Sequence, residues 1–449
     1  MNSSRTSDVP ASVVTSVLPS VSSPVLHLGA LLVALSSAPA MAEAPRQLAS
    51  WDEAVALFAQ RSPETRVAAE EVVRAAARRR MALAPILPQL SGSALASFSL
   101  LPPPPGDQNT AALFGAAPYQ TLSLVAQLAA IDLRAWNGLA TAIDAERVAQ
   151  LSNADAQRLL MLNLAQSLIS TVAAERVAEL NASGLADAKA RLELAEKAEK
   201  AGVTTALDVG RLRQDVALAR AQVINADETV RQAREALGLA LGLEEPMGVA
   251  PNFDLNGLAA QVPSRCRAVA DLDARPDVKA AKASVEVADR GVLDVKAQFL
   301  PSVAVRTNAT AFIIAGQAFP IWNLQAVLTV PLWDGGARYG ALRDAEAQRR
   351  QAEARSTTTT RRARVELERA RRGIEVAQDA RQAALDAVTQ AEQTDALTKK
   401  AWDSGAGTSL ELVTSASQLR AQRLTLALRD YEVLRARVVA LFALTECSP

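Results

Sequence analysis

Prolines 63 and 88 form a pair whose spacing recurs, residue for residue, in prolines 276 and 301. Around them the chain reads Arg61-Ser-Pro-Glu-Thr-Arg-Val-Ala-Ala and then Ala274-Arg-Pro-Asp-Val-Lys-Ala-Ala-Lys. The second proline of each pair closes a Leu-Pro step, Leu87-Pro88 and Leu300-Pro301, and an alternating segment follows in both halves. Proline suits the first turn of a helix and cannot sit in its interior. The repeat therefore reads as a duplicated helix–strand unit, with helices from Pro63 to about Ala84 and from Pro276 to about Phe299. Ahead of the first, Ser50-Trp-Asp-Glu53 is a capping-box pattern opening a short helix.

Beyond these landmarks lie two long stretches free of proline, one between Pro118 and Pro246 and the other between Pro331 and Pro449. Both are rich in Ala, Leu, Arg, Glu and Gln, the residues that favour helices. Each contains one clear interruption, at Gly202 and at Gly405 to Gly407, and the two match: Gly202-Val-Thr-Thr-Ala-Leu-Asp-Val against Gly405-Ala-Gly-Thr-Ser-Leu-Glu-Leu. Each stretch is expected to be an antiparallel helix pair with its hairpin at those glycines. The first arm, roughly residues 138–200, would reach on the order of 90 Å if unbroken. Asn181-Ala-Ser-Gly184 is a candidate kink within it. Aromatic residues make up only 4% of the chain, which fits helices packed along small-residue seams.

Four short segments show period two instead. In the first, Leu90, Ala94, Ala96 and Phe98 alternate with serines; in the second, Leu122, Leu124, Ala126 and Leu128 alternate with Thr121, Ser123 and Gln127. In the second half Val303 and Val305 alternate with Ser302 and Arg306, and Trp322, Leu324, Ala326 and Leu328 with Asn323, Gln325 and Thr329. The strands are expected at about 89–100, 119–130, 302–314 and 321–331. One hairpin loop contains Pro102 to Pro105 and the other centres near Gly316. Strands of about 10 residues suffice to cross a bilayer in a barrel. Four cannot close one, and open edges are not tolerated in lipid, so membrane strands would require several chains to share a barrel. An ordinary soluble hairpin with one wet face is the alternative.

Residues 1–42 read as a secretory signal, with an apolar run from Val25 to Leu35 and a small-x-small cleavage site at Ala40-Met41-Ala42. The only histidine, His27, lies inside it, so the exported chain lacks the commonest general base and metal ligand. The 48 basic and 48 acidic residues balance, giving no nucleic-acid footprint. Cys266 and Cys447 lack metal or redox spacing. Export permits a disulfide between them, though nothing in the sequence demands one. No nucleophile elbow, phosphate loop or zinc spacing is visible, so neither an enzyme nor a cofactor or metal site is expected. The cluster Arg361-Arg362-Ala-Arg364 and Arg371-Arg372 is interleaved with Glu366, Glu368 and Glu375 and reads as a solvated, salt-bridged face.

The run Val330-Pro-Leu-Trp-Asp-Gly-Gly336, with Arg338 and Ala341-Leu342 beyond it, resembles a hallmark of TolC-like outer-membrane efflux proteins. So does the paired Pro-[Asp/Glu]…Leu-Pro helix before each hairpin. The resemblance covers about residues 47–445 and marks Pro331, Asp334, Gly335 and Gly336 as a strand–helix junction. The first half departs from it, reading Ala129-Ala-Ile-Asp132-Leu-Arg, with Asp132 opposite Asp334. The resemblance implies a mainly helical fold with membrane β-structure: a trimeric, twelve-stranded barrel continued by a long periplasmic helical barrel. Residues 43–250 and 271–449 would be two structural repeats joined by a linker at 251–270.

It further implies an outer-membrane homotrimer embedded in lipid, docked through a periplasmic adaptor to an inner-membrane pump. The docking tip would hold Gly202, Val203, Thr205, Gly405, Gly407 and Thr408. The family's gate acids map onto Asp208 and Glu411, a further gate acid is replaced by Thr414, and Trp402 takes the place of a neighbouring aromatic. Thr205-x-x-Asp208 and Thr408-x-x-Glu411 are also capping boxes, and both roles can coexist. The expected function is the exit duct of a small-molecule efflux pump. A duct for type I protein secretion and a secreted helical scaffold without a pore are the alternatives.

Overall fold

The computed structural model describes residues 46–98, 119–255, 257–258, 266–314 and 317–447. The signal segment, the loop containing Pro102–Pro105 and Gly316 lie outside the described residues, as does part of the 251–270 linker.

The chain opens with β1 (Gln47–Leu48), α1 (Trp51–Arg61) and α2 (Pro63–Leu83). Ser50 caps α1 by accepting from Glu53 N at 3.2 Å, and Ser62 caps α2 ahead of Pro63. Two strands follow, β2 (Gln89–Ser97) and β3 (Tyr119–Ile131), then the helices α3 (Leu133–Lys200) and α4 (Ala206–Ala240). After β4 (Gly248–Val249) and β5 (Cys266–Ala268) the order recurs: α5 (Pro276–Ala297), β6 (Ser302–Ile314), β7 (Gln317–Thr329), α6 (Ala337–Asp403) and α7 (Ser409–Phe442). The last strand is β8 (Thr445–Cys447).

Helix α3 runs unbroken for 68 residues, about 100 Å. The helix continues through Asn181–Gly184, where Asn181 Nδ2 donates to Val177 O at 2.9 Å. Gly184 serves a different purpose: a Cβ there would lie 2.7 Å from Arg420 Cδ of α7. Its glycine is a site of close approach between helices.

The long helices bury small residues at heptad spacing, as expected from the composition. Ala363, Ala370, Ala377 and Ala384 form the seam of α6, and Ala174, Asn181, Ala188 and Ala195 that of α3. A heptad repeat keeps one face toward the partner only if the helices supercoil left-handedly. No described helix is apolar enough over a sufficient length to cross a membrane.

The four long strands form one antiparallel sheet in the order β2-β3-β6-β7. Its two faces differ. Thr121, Ser123 and Val125 point to a partly covered face, on which Ser123 Oγ and Thr310 Oγ1 lie 3.3 Å apart. The opposite face presents Leu90, Leu122, Leu124, Trp322, Leu324 and Leu328, all exposed. Among the described residues both edges, β2 and β7, are unpaired.

The main core lies partway along the long helices, at their root. Leu48, Trp51 and Phe58 pack there against Met161, Leu164 and Leu168 of α3, Leu237 and Leu241 at the end of α4, and Val438 and Phe442 at the end of α7. Beside it β5 pairs with β8, and Cys266 and Cys447, opposite one another, form a disulfide that joins distant parts of the sequence. Two almost fully buried guanidiniums cap the end of α7: Arg158 donates to Phe442 O at 3.1 Å and Arg275 to Ala443 O at 3.3 Å. Asp155 and Asp277 pair with them, and Glu366 bridges both, 3.8 Å from Arg158 and 2.7 Å from Arg275. Burial opposes the Arg275 charge, but Asp277 and Glu366 outweigh it and raise its pKa. Burial also pushes the Asp155 carboxyl up, against the pull of Arg158. Glu366 is thus part of a partly buried network, although the sequence placed it on a solvated face.

Candidate functional site

The two helical hairpins end in the same construction. At the end of α3, Gly202 N donates to Glu199 O and Val203 N to Ala198 O, both at 2.9 Å. At the end of α6, Gly405 N donates to Trp402 O at 3.0 Å and Ala406 N to Ala401 O at 2.9 Å. This is the Schellman pairing, which needs a left-handed residue after the helix. Gly202 and Gly405 supply it, with φ of 72° and 77°. Gly407 N also donates to Ala401 O at 2.9 Å, tightening the second turn.

Each return helix then opens with a complete capping box. Thr205 Oγ1 accepts from Asp208 N at 3.2 Å, while Asp208 accepts from Thr205 N at 3.3 Å. Thr408 Oγ1 accepts from Glu411 N at 3.3 Å, and Glu411 accepts from Thr408 N at 2.9 Å. Both acids sit at the positive end of a helix dipole.

Beyond the caps the two acids part company. Asp208 also accepts from Thr205 Oγ1 at 2.6 Å, from Thr204 Oγ1 at 3.2 Å, and from Ser409 Oγ at the start of the other return helix. Arg211 completes this bridge, 3.8 Å from Asp208 and donating to Ser409 Oγ at 3.2 Å. The Ser409 and Thr205 hydroxyls hold the Asp208 carboxyl down at about 2. Two turns further along α4, buried Asp215 pairs with Arg420 of α7, tying the same helices together again.

Among the described residues Glu411 makes no such crossing. It is exposed, and the Thr408 backbone N–H, then the Thr408 hydroxyl, lower its pKa. With Thr414 and Gln418 it lines a shallow groove against Ala391, Thr394 and Thr398 of α6. Trp402 lies half-buried in the last turn of α6. The structure thus brings Glu411 and Thr414 to one groove and Asp208 to the seam between hairpins. Ser409, Arg211, Asp215 and Arg420 were not anticipated from the sequence. Each bonds across to the other half of the chain, and no local pattern marks it.

The strand–helix junction is equally specific. Asp334 accepts from Gly336 N and Arg338 N, each at 3.1 Å, and from Arg338 Nε at 2.8 Å. The Arg338 side chain and these backbone bonds lower the Asp334 pKa, burial opposing them. Arg338 reaches back to Pro331 O at 3.1 Å and lies 5.0 Å from the centre of the Phe299 ring. In the first half Asp132 performs the corresponding cap, accepting from Ala135 N at 3.1 Å, without the two left-handed glycines.

A duplicated pair of long helical hairpins, hung from a four-stranded sheet with an apolar outer face, defines the class of helix-extended outer-membrane β-proteins. The chain belongs to the family described as "Outer membrane efflux protein", whose family model matches residues 54–243 and 270–445. The family places the chain at the outer membrane.

Among curated relatives, the chain is 28% identical over 317 residues to the pyoverdine export outer membrane protein OpmQ of Pseudomonas putida. That alignment covers 67% of this chain and 65% of the relative. It is 25% identical over 302 residues to the cation efflux system protein CusC of Escherichia coli, covering 64% of this chain and 62% of that one. The chain therefore spans somewhat less than two thirds of either relative.

Among solved structures, CusC superposes with a TM-score of 0.75 at 20% identity, covering 90% of this chain and 97% of that one. VceC of Vibrio cholerae gives 0.73 at 20% identity, covering 88% and 95%.

Proposed function

We propose that this chain is one third of an outer-membrane exit duct for small molecules, working with a periplasmic adaptor and an inner-membrane pump. The observation that carries the proposal is a four-stranded sheet with an apolar face and two unpaired edges, β2 and β7. In lipid every backbone N–H and C=O must be satisfied, so β2 of one copy pairs with β7 of the next until the ring closes. Three copies give twelve strands. The names of the relatives, which concern pyoverdine export and cation efflux, favour small molecules as cargo. The duct conducts passively, with energy supplied by the pump.

In this reading the hairpin ends around Gly202, Val203, Thr205, Gly405, Gly407 and Thr408 form the periplasmic tip that the adaptor contacts. Asp208 holds the two hairpins together through Ser409 and Arg211. Glu411, Thr414 and Trp402 lie beside the passage. Opening the tip requires α4 and α7 to separate at their ends, so the Asp208 bridge is the contact that must yield. The Pro331–Gly336 junction, with Asp334 and Gly335, fixes the angle at which the helices leave the barrel, and residues 43–250 and 271–449 act as pseudo-equivalent repeats around the duct.

Single cysteines placed along β2 and along β7 test the closure. Oxidation in detergent is expected to build covalent species up to trimer and no larger. Crosslinks that stop at dimer, or extend without limit, would remove the proposal.

A further inference from the structure

Arg306 is the one charged residue in the four long strands: β2, β3 and β7 carry none, and β6 carries only this arginine. It is exposed, and it has no ion pair or hydrogen bond among the described residues. The strand register fixes its place. Gln89 of β2 faces Gln127 of β3, Gln127 faces Arg306 of β6, and Arg306 faces Gln325 of β7. Every strand thus contributes one long polar side chain to a single row across the sheet.

The row lies on the face opposite the lipid-facing leucines. Side chains alternate along a strand, and Val305 and Thr307, the neighbours of Arg306, share the face of Leu128 and Leu324. The next row on the Arg306 face is Ser91, Val125, Asn308 and Asn323, and the one beyond contains Ser123 and Thr310. Toward the loop end the same face is less polar, with Leu95, Thr121, Phe312 and Phe319 in one row. Arg306 therefore sits near the helix end of the strands, in a predominantly polar band.

An arginine on an inner wall is ordinarily neutralised by a carboxylate. None is available from the strands of this copy or of an identical neighbour. Below, Asp132 caps α3 and Asp334 is engaged by Arg338 and its own helix start.

From this placement we infer that Arg306 and its symmetry copies form a basic ring inside the barrel, where the duct meets the helices, and that the ring binds anionic solutes in transit. Its chemistry suits carboxylates and other small oxyanions: a planar guanidinium makes paired bonds to such groups. Glutamine amides on either side can donate to the same ligand. A ring of charged side chains in a pore sets its ion preference. The barrel end of the duct thus favours anions, whereas the tip carries Asp208 and Glu411. The site is incomplete in one chain and rests on the trimeric-duct reading.

The test is the reversal potential of single channels in a potassium chloride gradient, using detergent-purified trimer of the wild type and of Arg306→Lys, Arg306→Gln and Arg306→Glu. The acids at the tip are common to all four proteins, so differences between them report Arg306 alone. Relative to wild type, Arg306→Lys is expected to leave the potential nearly unchanged. Arg306→Gln should move it toward the cation-selective limit, and Arg306→Glu should move it further. The spread should be widest near 0.01 M salt, where the screening length is about 30 Å, and should narrow near 0.15 M, where it is about 8 Å. Conducting trimers with the same potential in all four proteins would overturn the ring. Wild-type protein that never conducts would instead remove the duct on which it rests.

Discussion

The root and the tip of the helical hairpins are built from the same helices yet are held by different means. Among the described residues, the root cluster contains twenty buried residues, including Trp51, Phe58 and Phe442. The cluster nearest the tip contains three: Ala195, Val209 and Leu212. The root adds a disulfide and two buried arginines on the α7 carbonyls. The tip relies on side-chain hydrogen bonds to a carboxylate that water can reach. Elements that move are drawn from the weakly packed parts of a protein. In the proposed duct the difference gives rigidity to the root and opening to the tip, separated along α7 by about 50 Å.

Four substitutions or conditions probe this division. The largest loss should follow Arg275→Ala, which strands Asp277, takes one of the two arginines from Glu366 and removes one of the two guanidinium caps of α7. Breaking a buried pair from one side costs about 3–5 kcal/mol, read as a fall in the thermal midpoint of the purified protein. The comparison breaks if that midpoint moves no more than with a tip variant. Replacing both Cys266 and Cys447 with alanine should cost about 2–4 kcal/mol. The same loss should appear in wild type under reductant, whereas the double variant should be insensitive to it.

Tip variants should cost less and change conduction more. Thr205→Ala removes the cap of α4, at about 1 kcal/mol, and weakens the hold on Asp208. It should lengthen open events in single-channel records, while Thr408→Ala, which touches no cross-hairpin bond, should lengthen them less. Equal effects would deny the bridge its special role.

The smallest effect is one of pH. Asp208 is held at about 2, below its ordinary 3.8, so its bridge is at full strength above about pH 4 and is lost as pH falls toward 2. Open probability should rise over that window in wild type and stay flat in Asp208→Asn.

Much of this division was hidden in the sequence, though the scaffold was not. Proline pairs, glycine interruptions and Thr-x-x-acid boxes are local signals, and they marked α2, α5 and both hairpin turns because helix ends are settled by nearby residues. Alternation likewise exposed all four long strands. Contacts between distant residues left no such mark. Cys266 could be paired or free, Arg158 looked like any helical arginine, and Ser409 was only the residue after a cap. Gly184 was a candidate kink in the sequence, because a missing side chain signals a bend and a close approach alike. Only the position of Arg420 distinguishes them.

The central claim is that three copies make a conducting duct that the tip restrains. Its most direct test is planar-bilayer recording from detergent-purified protein whose trimeric mass has been established, comparing wild type with Asp208→Ala. The account predicts discrete, long-lived steps from both, with larger or longer openings in the variant. A monomer that never inserts, or a variant indistinguishable from wild type, would contradict it.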